Sequence, residues 1–526
     1  MTETSHVWRA TGSMTIGTAL SRLTGLARVS VMAYALGVTG TKLADTYNLA
    51  NTTPNIIYEL FLGGIFTAVF VPALIDAREK QRGDPSALVS VSLVALAVLS
   101  VLAAIGAPLI MRIYTFRISD PVIRQQQLEL ATFLLRWFAP QVFFYGVSGI
   151  VSALLNVRGR FNPPMYVPVL NNLLVIAVFI AYARVVGTQG LNLSTGARTL
   201  LGAGTTAGVV AQALVLVWFV RGERLRFRPV FNDPAVARVI RLSGYVIGYV
   251  AVNQIGLWVV LALANGVRGG VTAYQIAFMF LQLPHSLFAV SVLTALFPDL
   301  SRTAGTQDWD RFRGLFGTGV RGVFYLLVPA VFGFAILALP ITRLLLAHGA
   351  AGSGDAIAVG RVLQAFTAGL VFFSTFQLLT RCFYALPDTR TPTALNAVAV
   401  AVNVAVNFPL FAWLGVRGLA FGHAIGYAAG TLLLLAVLSR RVPGGLGLSD
   451  LAAPLIRILG IAGAMALCIW VIGRVVPGGD LGVVGVSVGA GAILYLAFSQ
   501  VAGVEERRIL LGPLEAFRRL GQKEAE

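Results

Sequence analysis

The chain is short of charge. Only 12% of its 526 residues are Asp, Glu, Lys or Arg, while 57% are hydrophobic. A soluble protein of this length carries about twice that charged share. Acids are scarcer than bases, 22 against 40, which leaves a net charge of +18. Cysteine is nearly absent. Cys382 and Cys468 both fall inside apolar segments and read as small packing residues rather than a disulfide. Of the four histidines, His285 and His423 lie in helical stretches and read as hydrogen-bonded packing residues. There is no HExxH, no paired metal-binding carboxylates, no Walker A motif and no Ser–His–Asp set that the sequence singles out. These absences argue against a soluble enzyme, a disulfide-stapled domain and a nucleotide-driven pump. The opening MTETSHVWRATGSM lacks the basic stretch, short apolar core and cleavage site of a signal peptide, so the first helix is expected to stay as an anchor.

What is abundant is apolar sequence of membrane-spanning length. Spans are expected near 12–37, 43–76, 87–114, 127–156, 163–186, 198–220, 237–265, 272–301, 314–347, 356–386, 392–414, 418–439, 454–476 and 483–503. The fold class is therefore an all-α polytopic membrane protein with about fourteen transmembrane helices. An even count puts both termini on one side, and loops on that side hold 21 Lys and Arg against 5 opposite. That bias predicts cytoplasmic termini and accounts for the net charge without nucleic acid. The tail EERRILLGPLEAFRRLGQKEAE is basic and amphipathic, suited to the inner membrane surface.

The chain also repeats itself. YNLA at 47–50 and TAVFVP at 67–72 return as YQIA at 274–277 and TALFP at 294–298, an offset of 227. GRFNPP at 159–164 resembles DTRTP at 388–392, and LGAGTTAG at 201–208 resembles LAFGHAIG at 419–426. Six spans separate the copies, so both enter the membrane in the same direction. This predicts two pseudo-symmetric six-helix lobes, 1–228 and 229–441, followed by 442–526 with spans 13 and 14 and the tail.

Two segments carry chemistry. The first span, ALSRLTGLARVSVMAYALG, holds Arg22 and Arg28, each costing about 3 kcal/mol at mid-bilayer. Six residues separate them, about 9 Å of helix rise, so both cannot reach the same helix end. Gly25 between them is a candidate bend that would bring both to one cavity. Guanidiniums in a water-filled cleft suit an anionic substrate, because their forks grip phosphate oxygens in pairs. The second span holds Asp45, and then Asn48, Asn51, Asn55 and Glu59 on one helical stripe, which must face protein or water rather than lipid. Gly63 and Gly64 follow as a candidate hinge.

SRLTGLARVSVMAYALG, PNIIYELFLGGIFTAVFVPAL, FMFLQLPHSLFAVSVLTALFPDLSR and RCFYALPDTRTP resemble the MurJ/MviN lipid II flippases of the MOP exporter superfamily, through essentially all fourteen spans. The resemblance implies two lobes around a central cationic cavity, alternating access, and movement of lipid II from the inner to the outer leaflet. Arg22 and Arg28 match two of the family's cavity arginines and Ser21 the polar residue beside them. The pattern departs at Val29, where an aspartate is usual, at Tyr58 and Glu59, where an arginine pair is usual, at Gly63, where a glutamate is usual, and at Met279, where an arginine is usual. Glu59, one turn before Gly63, is placed to supply the missing carboxylate. Asn403 and Asn407, spaced i, i+4, match a pair linked to a sodium site. Both are neutral amides where that site includes a carboxylate, so structural hydrogen bonding is favoured over ion binding.

The expected function is thus a lipid-linked oligosaccharide flippase in the bacterial cytoplasmic (inner) membrane, not an enzyme. Its substrate-binding residues would be Ser21, Arg22, Arg28, Asn48, Asn51, Asn55, Tyr58 and Glu59. Its partners would be lipid II and membrane lipids, with the chain working as a monomer. No cofactor is expected beyond sodium or chloride. The alternative is a cation-coupled multidrug exporter, or an exporter of another polyprenyl-linked glycan, from the same superfamily. Organic cations would call for cavity carboxylates instead of arginines.

Overall fold

The computed structural model describes residues 3–60, 84–187, 189–222 and 226–507. Among them every regular element is helical. The helices are α1 (Glu3–Leu36), α2 (Leu43–Tyr58), α3 (Pro85–Thr115), α4 (Pro121–Phe138), α5 (Pro140–Val157), α6 (Asn162–Val185), α7 (Thr195–Trp218), α8 (Pro234–Ala264), α9 (Gly270–Pro284), α10 (Val290–Gly305), α11 (Trp309–Leu346), α12 (Ser353–Ala385), α13 (Arg390–Leu414), α14 (Val416–Arg441), α15 (Leu448–Val475) and α16 (Gly479–Val501). Twelve segments of the described residues are long and apolar enough to cross a membrane. The two remaining expected spans correspond to α1 and α2, the latter leaving the described residues after 60. The protein is a multi-pass α-helical membrane protein.

Among the described residues the helices outnumber the spans because two spans are interrupted. The fourth breaks at Pro140, which lacks the N–H that would continue α4. Carbonyls beside the break are satisfied from neighbouring helices: Ser100 Oγ donates to Ala139 O at 2.9 Å and Thr206 Oγ1 to Trp137 O at 2.7 Å. Without such donors the break would leave bare carbonyls in lipid. The eighth span is interrupted by a π turn over His285–Ala289, between α9 and α10. A second π turn follows α2 at 59–60. Adding the offset of 227 carries 59–60 to 286–287, so the repeat extends to this backbone irregularity.

Helix starts follow local chemistry. Asp84 and Asp120 stand before Pro85 and Pro121, and their carboxylates accept from Ser86 N (2.7 Å) and Val122 N (2.9 Å). Proline pre-sets the first helical residue while the carboxylate satisfies orphan amides at the positive end of the helix dipole.

The chain divides into two compact units. One gathers Met1–Thr272 with Leu346–Asp355, the other Ala273–Leu345 with Ala356–Glu526. These units are defined by packing, whereas the lobes read from the repeat are defined by topology; α8 packs against α3 in the first unit. In that unit α1 lies along α6, and Leu96 of α3 is seated opposite Gly146 of α5. Tyr47 of α2 packs edge-on against Phe138 (5.6 Å) and Phe179 (5.3 Å). The second unit has one core of Phe312, Phe316, Phe376, Phe383 and Leu434. Another joins Tyr325, Ile458, Met465 and Tyr495, closed by Tyr495 Oη donating to Tyr325 O at 2.8 Å.

Candidate functional site

The first helix runs unbroken through Gly25, which is buried. The helix backbone therefore continues past the expected bend, and Arg22 and Arg28 leave it about 9 Å apart along the axis. Arg22 is exposed and Arg28 half-buried, within electrostatic reach of Tyr47 on α2 and Tyr145 on α5. Among the described residues neither guanidinium has a carboxylate within ion-pair distance. Ser21 contributes through its backbone: its carbonyl accepts from Asn172 Nδ2 of α6 at 3.2 Å, and the same amide reaches Thr24 Oγ1 at 3.0 Å. Asn172 thus fixes the rotation of α1 at the turn that presents Arg22.

The polar stripe of α2 grades from buried to open. Asn48 is buried and donates to Thr272 Oγ1 at 3.0 Å, Asn51 is half-buried with its Oδ1 unpartnered, and Asn55 is exposed. Tyr58 is half-buried with its ring 6.0 Å from that of Tyr145, and Glu59 is half-buried in the π turn. Asn48 is thereby committed to a protein contact, whereas Asn51 Oδ1 is buried without a hydrogen-bond partner among the described residues and Asn55 stands exposed. Gly63 and Gly64 lie outside the described residues.

Sequence reasoning noticed Asp45 but gave it no partner. In the structure Asp45 is fully buried and accepts from Gly269 N at 2.8 Å, Thr272 N at 3.0 Å and Thr272 Oγ1 at 2.9 Å. It caps α9, a free helix N-terminus being the natural seat for a carboxylate. Thr272 is Asp45 plus 227, so two positions that the repeat makes equivalent touch, as residues beside a two-fold axis do. Gly269 is required here. Its φ is +71°, and an added Cβ would sit 2.6 Å from Val38 O.

Lys42 Nζ donates to the carbonyl of Asn265 and, at 3.3 Å, to that of Val267. Asn265 in turn holds Gln127 Nε2 (3.0 Å) and Tyr114 O (3.0 Å). Burial draws the Lys42 ammonium below the usual lysine range against the pull of Asp45, and Arg268 lowers it further. Nearby, Asp355 accepts from Val38 N at 3.1 Å, Thr39 N at 2.8 Å and the Thr39 hydroxyl. Two carboxylates and one ammonium therefore tie the α1–α2 connection to the start of α9 and to the 346–355 segment. The offset of 227 was the one sequence signal that could have paired Asp45 with Thr272.

Asn407 Nδ2 donates to Asn403 Oδ1 at 3.2 Å, while Asn407 Oδ1 and Asn403 Nδ2 have no partner among the described residues. The pair packs on Gly422 and Gly426 of α14, and a methyl at Gly422 would run into Asn407 Oδ1. With Asn403 Oδ1 already accepting, the pair offers one unclaimed oxygen, where hard cations take several. Among the described residues no group of three His, Cys, Asp or Glu could hold a metal.

A multi-pass helical bundle with an internal repeat, and with two arginines in its first helix that have no carboxylate partner among the described residues, defines a transporter of the MOP architecture. Residues 32–484 match the family described as Lipid II flippase MurJ. The chain belongs to the MurJ family. It is 29% identical over 437 residues to the probable lipid II flippase MurJ of Haemophilus influenzae, covering 79% of this chain and 83% of that one. It is 30% identical over 443 residues to the counterpart from Rhizobium tropici, covering 82% and 80%. The fold is similar to a solved lipid II flippase MurJ in an inward closed conformation (TM-score 0.76, 21% identity, 95% of this chain and 99% of that one). It is also similar to an inward-facing multidrug resistance MATE transporter (TM-score 0.65, 14% identity, 81% and 98%).

Proposed function

We propose that this protein is a lipid II flippase of the bacterial cytoplasmic membrane, with both termini in the cytoplasm, acting by alternating access as a monomer. Family membership supports the substrate, and the observation that carries the chemistry is the pair Arg22 and Arg28. Each is an intramembrane charge without a carboxylate partner among the described residues. An unpaired charge in a membrane helix is costly unless a ligand or water meets it, and the pyrophosphate of lipid II provides two adjacent anionic groups for two forks. Asn51, Asn55 and Glu59 stand as further polar contacts for the head group. The MATE-like fold also suits a cation exporter, but two guanidiniums repel an organic cation. Asn403 and Asn407 act as a structural pair rather than a sodium site.

The test is outer-leaflet accessibility of lipid II after depletion of the protein and its restoration by variants. Arg22→Ala and Arg28→Ala should each lose most of the transport at normal protein level, and lysine should rescue in part, keeping charge without the fork. Wild-type transport by the double alanine variant would overturn the proposal.

A further inference from the structure

Two histidines in the second unit share one aromatic cluster that the transport reading leaves unused. His423 of α14 is ringed by Phe278 of α9 (5.5 Å between centroids), Phe366 and Phe373 of α12 (5.5 and 5.8 Å) and Tyr427 one turn along (4.7 Å). Its Nδ1 is buried and has no hydrogen-bond partner among the described residues. His285 packs on the same Phe373 at 4.5 Å, and its Nδ1 pairs with Ser374 Oγ at 2.8 Å. His285 opens the π turn between α9 and α10, a backbone irregularity that recurs at functional sites.

A packing histidine normally has its ring nitrogens partnered, as His285 does with Ser374. His423 departs from that rule inside a shell where phenylalanine would satisfy packing without an orphan nitrogen. The shell does suit an imidazolium, because aromatic faces attract a cation most strongly when water is excluded.

From α9 comes Tyr274, behind Phe278 (6.3 Å) and Phe366 (5.0 Å). The π turn brings His285, and α12 brings rings and the Ser374 hydroxyl. Helix α13 meets α14 with the neutral Asn403 and Asn407, and α14 itself brings Tyr427. Among the described residues no carboxylate, lysine or arginine places a charge on His423. A proton arriving there changes the local charge from zero to one.

We propose that His423 is a proton-binding site coupled to transport, an inference that rests on the transport reading. When water reaches the cage from one side, a hydronium ion gives its proton to the free lone pair of the neutral imidazole, leaving water and an imidazolium inside the aromatic shell. When the cage opens to the other side, the proton returns to water. The ligand is the proton itself, and the adjacent π turn supplies backbone slack for the opening.

The experiment uses the full chain in proteoliposomes containing lipid II, with potential and pH gradient imposed separately. With the potential held at a fixed inside-negative value, reversing the pH gradient should change the flipping rate several-fold, and a pH dye should report proton movement that accompanies flipping. His423→Gln and His423→Asn, each checked for folding by size exclusion, should lose both effects while keeping potential-driven flipping. Vesicles that flip under potential but ignore both pH gradients would overturn the proton site alone. So would either folded variant that retains the gradient response. Vesicles that flip nothing under any condition would overturn the transport reading on which the site depends.

Discussion

Replacing Asp45 with asparagine removes the charge that caps α9 and keeps its shape. The carboxylate accepts three hydrogen bonds, one on Oδ2 from Gly269 N and two on Oδ1 from Thr272. An amide has one oxygen, so it can keep the Thr272 pair only by turning its NH2 toward Gly269 N–H. Losing a charged acceptor costs about 1.5–3 kcal/mol, and a buried donor left bare costs about 1–3 kcal/mol. Because both describe the same lost contact they are not summed, and about 3 kcal/mol is the working figure. At 1.36 kcal/mol per decade, local opening at the start of α9 becomes about 100-fold easier. Amide exchange of a peptide spanning 266–275, followed by mass spectrometry in nanodiscs, reads this directly as lost protection. Thr272→Val removes two buried hydrogen bonds, the one to Asp45 and the one from Asn48, and at about 1 kcal/mol each should cost about 2 kcal/mol, or about 30-fold. Protection in Asp45→Asn within threefold of wild type would refute the assignment of Asp45 as the cap.

Glu59→Gln should slow flipping in vesicles, since the half-buried carboxylate of the π turn can exchange partners between states, and unchanged rates would reduce it to packing. Burial pushes the Asp388 carboxyl up, but the Thr391 hydroxyl and amide, Arg441 at 2.5 Å and the Arg390 amide outweigh it and hold it below the ordinary carboxylate range. A depressed carboxyl contributes stability that is present above its unfolded value of about 3.9 and lost as pH falls through the lower folded value. Melting curves below about pH 4 should therefore fall in wild type, and Arg441→Ala should move that fall to higher pH. Collapsing the membrane potential should stall flipping, at about 2.3 kcal/mol per charge per 100 mV. Removing sodium alone should change it little, given the neutral Asn403 and Asn407, and separate imposition of the two gradients distinguishes them.

The bundle was legible because apolar runs, Asp-Pro starts and loop arginines are local signals. Asp84 and Asp120 cap the helices that their prolines open, which start at Pro85 and Pro121, ahead of the expected 87 and 127. The interrupted spans were less legible. Pro140 marks the fourth, but nothing in PHSLFAV announces a π turn, since the extra residue is set by what His285 and its neighbours pack against. Arg22 and Arg28 were legible as costly charges, with Gly25 between them in an unbroken helix. Glycine permits a bend but the packing of α1 on α6 decides it, and the helix there is continuous. Asn48 shows the same limit. Its place on the stripe follows from spacing, but its contact with Thr272 depends on an element more than two hundred residues away. Lys42, Asn265, Gln127 and Asp355 were invisible for that reason, each polar group looking ordinary until the tertiary fold removed it from water.

The repeat explains why the chemistry divides as it does. At an offset of 227, Asn48, Asn51, Asn55 and Glu59 of the first copy correspond to Gln275, Phe278, Gln282 and Ser286 of the second. Both copies keep the π turn, so both keep the same place to bend. The side chains around that turn have diverged. The first copy holds a carboxylate and a stripe of amides near membrane arginines, which suits an anionic head group. In the second, Phe278 is turned to the aromatic shell of His423 and the carboxylate is gone. A duplicated scaffold supplies two like hinges, and loss of charge from one of them leaves the substrate's charge to be met by the other. An anion and a coupling charge handled by different copies need not compete for the same side chains.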